Sequence, residues 1–113
     1  KRIENANLYN RCLKNVSNIV LPFVINGCKH VYHQYVIKAQ NRDLLKKHLL
    51  LNKIESSIYY PIPCHAQKPY LNYKVTNPIS KKLANQVLAL PIAEHITSDN
   101  IKYISDTICK FYD

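Results

Sequence analysis

Cys28, His30 and His33 place a thiol and two imidazoles close together, the side chains that bind zinc, and Cys64 stands directly before His65, a thiol beside a potential base. Spacing does not support either chemistry. His30 to Lys38 (HVYHQYVIK) is rich in β-branched and aromatic residues and reads as a strand. Successive side chains of a strand point to opposite faces, so His30 and His33 diverge and no metal site is expected. Adjacency in sequence does not give Cys64 and His65 the geometry of a nucleophile and its base, and no Ser or Cys sits in an elbow motif, so no catalytic residue is assigned.

Polar density carries more information. One face of the expected strand offers His30, Tyr32 and Gln34, and the other Val31, His33, Tyr35 and Ile37. Both faces bear groups that burial penalises unless they are hydrogen-bonded, so some of them face a polar cleft or they line the rim of the domain, half exposed, and composition alone favours the rim. The second dense stretch runs Tyr59-Tyr60-Pro61-Ile62-Pro63-Cys64-His65-Ala66-Gln67-Lys68. Its prolines forbid continued strand pairing and fix an extended loop, and fixed loops with clustered donors are where ligands are usually held.

The elements that must position these groups follow from periodicity. Ile3, Ala6, Tyr9, Leu13 and Val16 mark an amphipathic helix that ends before Pro22. Asn41 stands where it can cap a helix bearing Leu44, Leu45, Leu49 and Leu51, running to about Asn52. Ser56 to Tyr60 reads as a short strand. Asn77-Pro78 starts a helix towards Val87, with proline at the first position, where its missing N–H costs nothing. Leu88 to Ile92 (LALPI) reads as a third strand or an extended exit from that helix. Thr97 caps a last helix with the stripe Ile101, Ile104, Ile108 and Phe111. Helices and strands alternate, which predicts an α/β (α+β) sandwich, helices packed on a short sheet of about three strands.

With 113 residues, 47% hydrophobic and 20% charged, the chain has the composition of one folded domain, spanning 1–113. No run approaches the roughly 18 apolar residues of a membrane span, so no membrane partner is expected. The sequence contains no Met and opens on what reads as the inside of a helix, which predicts a piece of a longer protein. Four cysteines without C-x-x-C spacing read as reduced thiols and a cytoplasmic location. The single glycine, Gly27, excludes a glycine-rich phosphate loop. Sixteen basic against seven acidic residues give +9, but only three are arginines and the lysines come singly or in pairs. Nothing resembles a run that tracks a phosphate backbone, and an AT-rich coding bias would produce the same excess, so nucleic acid is not the expected partner.

His30-Val31-Tyr32-His33-Gln34-Tyr35-Val36-Ile37, Asn41-Arg42-Asp43-Leu44, Tyr59-Tyr60-Pro61-Ile62-Pro63-Cys64-His65-Ala66-Gln67 and Val87-Leu88-Ala89-Leu90-Pro91-Ile92, in this order and spacing, resemble the C-terminal domain of the DegT/DnrJ/StrS sugar aminotransferases. The resemblance covers essentially the whole chain. It implies the small domain of a fold type I enzyme that uses pyridoxal phosphate to move an amino group from glutamate to a keto group on a nucleotide-linked sugar, in amino-sugar and cell-surface polysaccharide biosynthesis. It further implies a separate N-terminal large domain carrying the cofactor lysine, and a homodimer. No lysine here lies in a motif like that segment, so this chain alone is expected neither to hold the cofactor nor to turn over.

By the same resemblance these residues form one wall of a substrate cleft. His65 of the H-x-Q segment is the foremost candidate to donate to the sugar or diphosphate, flanked by Tyr60 and Gln67. His33 and Tyr35 match positions near the substrate, as do His30 and Tyr32 less closely. The positive charge would then attract an anionic nucleotide sugar. Two departures stand out. Lys53 occupies the position of the glycine that usually closes the preceding helix, which puts the left-handed cap on Asn52, and the familiar L-S-L-P reads Leu88-Ala89-Leu90-Pro91. The competing readings are a basic nucleic-acid-binding module, supported only by the charge, and a regulatory relative of the same family that has lost turnover.

Overall fold

Helix-forming stripes and β-branched runs sort the chain into two layers in a computed structural model that describes residues 1–73, 75 and 77–113. The elements are α1 (Arg2–Leu13), β1 (Ile19–Val20), β2 (Tyr35–Ala39), α2 (Arg42–Leu51), α3 (Pro78–Ala84), β3 (Val87–Leu90) and α4 (Ser98–Tyr112), with two 3₁₀ turns, Cys64–Ala66 and Lys68–Tyr73, between α2 and α3. The sheet is antiparallel in the order β1-β2-β3, with Ile19 opposite Ala39 and Tyr35 opposite Leu90. Along β2, Tyr35, Ile37 and Ala39 are buried while Val36 and Lys38 are not, so the helices cover one face of the strand. The core unites Tyr9 and Leu13 of α1, Leu45 and Leu49 of α2, Ile101, Ile104 and Ile108 of α4, and Tyr35, Ile37, Leu88 and Leu90 of the sheet. Each fully buried isoleucine or leucine contributes roughly 2 kcal/mol.

The predicted α+β sandwich forms, with differences at the strands. The expected strand from His30 starts only at Tyr35, because Tyr32 sits at φ 49 and its N–H donates to the His30 ring instead of to a neighbouring strand. Opposite faces of a strand therefore do not describe His30 to Gln34. The expected strand Ser56–Tyr60 contracts to one bridge, Ser57 against the outer edge of Ala89, and its place in the sheet goes to the two-residue β1, while the expected strand at Leu88–Ile92 forms as β3. At α1 the helix stops at Leu13, short of Val16.

Helix ends follow local chemistry. Thr97 and Asn100 form a capping box: the Thr97 hydroxyl accepts from the Asn100 N–H at 3.2 Å, and the Asn100 side chain accepts from the Thr97 N–H at 3.0 Å. Asn77 accepts from the Ser80 N–H, with Pro78 at the first position of α3. Asn41 precedes α2 but in the left-handed region, φ 51, and its side chain makes no cap bond. At the other end of α2, Lys53 itself takes the left-handed conformation (φ 60) and Asn52 does not (φ −92). The Lys53 N–H donates to the Leu50 carbonyl and the Ile54 N–H to the Leu49 carbonyl, which closes a Schellman motif with buried Ile54 as its apolar contact. A Cβ at that φ costs about 1 kcal/mol, partly offset by the extra freedom glycine brings to the unfolded chain. Lys53→Gly is therefore expected to raise stability by about 0.5 kcal/mol, read as a higher urea midpoint with unchanged slope.

Candidate functional site

Pro61 and Pro63 fix the backbone ahead of His65. Pro63 sits at φ −59 and ψ 148, and the Cys64–Ala66 turn closes with the Ala66 N–H on the Pro63 carbonyl (2.9 Å) and the Gln67 N–H on the Cys64 carbonyl (3.1 Å). The half-buried His65 is thereby held in the wall of a hollow of about 500 Å³, together with Tyr59, Tyr60, Asn77, Ser80 and the α3–β3 junction at Ala84 and Val87. A neighbouring hollow of about 620 Å³ adds Lys81 to the groups around His65. Tyr60 is 71% exposed, a ring on the rim. Gln67 is exposed and lines neither hollow.

His33 belongs to a separate polar hollow of about 360 Å³ with Gln34, Glu55, Ser56 and Ser57, floored by Ala89 to Ile92. Tyr59 lines both this hollow and that of His65. The Ser56 hydroxyl is buried without a hydrogen-bond partner among the described residues, a cost that a ligand or an ordered water reaching it would remove. Glu55 and Ser56 were not legible as site residues, because an acidic-serine stretch leading into an expected strand carries no motif.

The remaining candidates lie elsewhere. Tyr35 is fully buried, stacked on Tyr9 with ring centroids 4.7 Å apart, and its hydroxyl donates to Asn10 Oδ1 at 2.7 Å. Tyr32 is buried beside it, with His30 stacked on its outer face at 4.2 Å. This aromatic column runs from the surface into the core. The Tyr35 hydroxyl thus has its partner inside the protein, and the buried rings of Tyr32 and Tyr35 line neither the hollow of His65 nor that of His33. Burial above all, and then the neighbouring phenol, push the Tyr9 hydroxyl well above the ordinary tyrosine range, and burial followed by Tyr32 does the same to Tyr35. His30 spends its Nδ1 on the Tyr32 N–H at 2.8 Å.

Pyridoxal phosphate needs a sheltered lysine for its aldehyde, a carboxylate for its ring nitrogen and a phosphate cradle. Among the described residues no lysine is buried, and the lysines that face hollows, Lys38, Lys81 and Lys82, share them with no carboxylate. Among the described residues, then, the three groups that such a seat needs are not brought together. Among the described residues, no helix is long and apolar enough to cross a membrane.

Residues 1–109 match the DegT/DnrJ/EryC1/StrS aminotransferase family. The chain is 33% identical to the pleiotropic regulatory protein of Geobacillus stearothermophilus, an alignment covering 99% of this chain and 32% of that protein. It is 37% identical to the UDP-N-acetyl-3-dehydro-alpha-D-glucosamine 3-aminotransferase of Acidithiobacillus ferrooxidans, covering 80% of this chain and 25% of that enzyme. Among solved structures, a DegT/DnrJ/EryC1/StrS aminotransferase from Brucella abortus superposes with a TM-score of 0.90 at 32% identity, over 98% of this chain and 30% of its own. S. venezuelae DesV, in complex with a ketimine intermediate, gives 0.94 at 26% identity, over 99% and 31%. The chain therefore spans about a third or less of the proteins it matches.

Proposed function

The chain belongs to the DegT/DnrJ/EryC1/StrS aminotransferase family, and from that premise we propose that residues 1–113 are one domain, the C-terminal wall of the substrate cleft in a longer, cytoplasmic, pyridoxal-phosphate-dependent sugar aminotransferase. The reaction is transfer of an amino group from glutamate to the keto group of a nucleotide sugar, in amino-sugar and polysaccharide biosynthesis. An N-terminal large domain supplies the cofactor seat, and the whole protein works as a homodimer. The cofactor provides the electron sink for amino transfer.

The observation that carries this reading is His65 with Tyr60 and Tyr59 in one hollow, on a backbone that Pro61 and Pro63 immobilise. An imidazole donating to a sugar hydroxyl or a diphosphate oxygen orients the substrate, and Tyr60 covers it from the rim. Lys81 adds a positive charge beside the same imidazole. His33 contributes from the adjoining polar hollow, and Gln67 from the exposed end of the turn. His30, Tyr32 and Tyr35 line none of these hollows and are assigned no contact with the substrate.

The test uses the full-length parent. His65→Ala is expected to raise KM for the keto nucleotide sugar about tenfold, the worth of one hydrogen bond to a charged group, with a smaller change in kcat. An unchanged KM removes His65 from the site. A second reading is favoured by one observation: the 33% identical Geobacillus relative is described as a regulatory protein. A parent that binds the nucleotide sugar through His65 yet consumes no glutamate is that regulatory relative.

A further inference from the structure

A third hollow, of about 440 Å³, lies at the far end of β2 from His33, between the outer strand β1 and helix α3. Lys38 pairs in register with Val20 on one side and Val87 on the other. It therefore stands on the sheet face left open by the helices that bury Tyr35, Ile37 and Ala39. Across from it, α3 brings Lys82, and the exit of α3 brings Gln86. Asn18 and Gln40 complete the polar side, the Asn18 amide donating to Gln40 Oε1 at 3.1 Å.

Among the described residues, no carboxylate lines this space. The ion pairs among the described residues join Lys1 to Glu4, Arg42 to Asp43 and Lys102 to Asp99, so Lys38 and Lys82 share one concavity with no counter-ion. Two ammonium groups held near each other repel, and a dianion between them reverses the sign of both interactions. The volume exceeds what a bare phosphate fills and falls in the usual range for small-molecule sites, roughly 300–1,000 Å³. Val20, Ile79 and Leu83 give it an apolar side, suited to the carbon portion of a ligand. We propose that this hollow binds a small organic phosphate, with Lys38 and Lys82 on the phosphate and Val20 and Ile79 against the rest. The site is separate from that of His65, which it meets only at Leu83, and it stands or falls independently of the aminotransferase reading.

Phenyl phosphate and inorganic phosphate, titrated into the ¹⁵N-labelled full-length parent, distinguish the outcomes. Phenyl phosphate is expected to bind the more tightly, with amide shifts concentrated at residues 17–20, 38–40 and 79–86. Lys38→Gln and Lys82→Gln are each expected to weaken it about tenfold. Lys82 lies on an exposed helical face, so its variant keeps the fold even if the strand variant is perturbed. Lys47→Gln/Lys110→Gln, which removes two exposed lysines from other helices, is expected to bind as the parent chain does. Equal weakening in that control pair, shifts scattered over all the lysines, or no saturable binding overturns the proposal.

Discussion

Arg42→Leu is expected to cost about 3 kcal/mol of folding stability, the loss of a buried charge-assisted clamp. The guanidinium is 6% exposed and donates through Nη1 to the Ala84 carbonyl at 3.0 Å and the Val87 carbonyl at 2.9 Å. Ala84 is the last residue of α3, whose final carbonyls have no partner within the helix, and Val87 opens β3. One side chain on α2 thus satisfies the turn between two other elements. Its bond from Nε to Asp43 at 2.7 Å adds little, because that carboxylate is well exposed. Leucine fills the space and strands both carbonyls. Arg42→Lys retains the charge but not the fork that reaches two acceptors, and about half the loss is expected. Urea midpoints measure both. A leucine variant within about 0.5 kcal/mol of the parent would show that water replaces the clamp without cost. The same junction walls the hollow of His65 through Ala84 and Val87, so the lysine variant also tests whether site and fold loosen together.

High pH gives the second large effect. Below the ordinary tyrosine pKa of 10.0 the phenols of Tyr9 and Tyr35 are protonated whether the chain is folded or not, and their contribution to stability is complete. Above it the unfolded chain ionises, while the folded chain holds both protons because an oxyanion in that packing would be neither solvated nor paired. The unfolded state then binds fewer protons, and stability falls with rising pH by about 1.4 kcal/mol per tyrosine per pH unit, roughly 3 kcal/mol for the pair. Tyr112, pushed by burial up to about 12, adds to the slope in the same window. Cooperative unfolding above about pH 10 is expected, with the part of the tyrosinate absorbance that belongs to the buried phenols appearing only as the fold is lost. Tyr9→Phe should flatten the dependence. Gradual ionisation of all nine tyrosines in a chain that stays folded would exclude the effect.

Much of this architecture was legible in the residues. The stripe Ile101, Ile104, Ile108 and the Thr97 cap gave α4, Asn77-Pro78 gave the start of α3, and alternation of element types gave the layered class. The failures have local causes. A strand of two residues, β1, has no period to detect. HVYHQY was rich in strand-forming residues because its rings pack into a column, and enrichment reports burial as readily as pairing. The proline-braced loop announced His65 through backbone stiffness, which is local. The fate of Tyr35 depended on Asn10, far away in the chain, and composition cannot distinguish a tyrosine with an internal partner from one facing a ligand.

The contacts that join α1 to the segment before α4 also set a kinetic requirement. Tyr9 reaches the Pro91 carbonyl, and the Asn5 amide reaches those of Ala93 and Ile96, across 82 to 91 positions of sequence. A chain that must circularise almost fully before its central tyrosine finds its acceptor bears that entropy early and is rewarded late. Docking of the first helix is therefore the expected rate-limiting event of assembly, and its release the first step of opening.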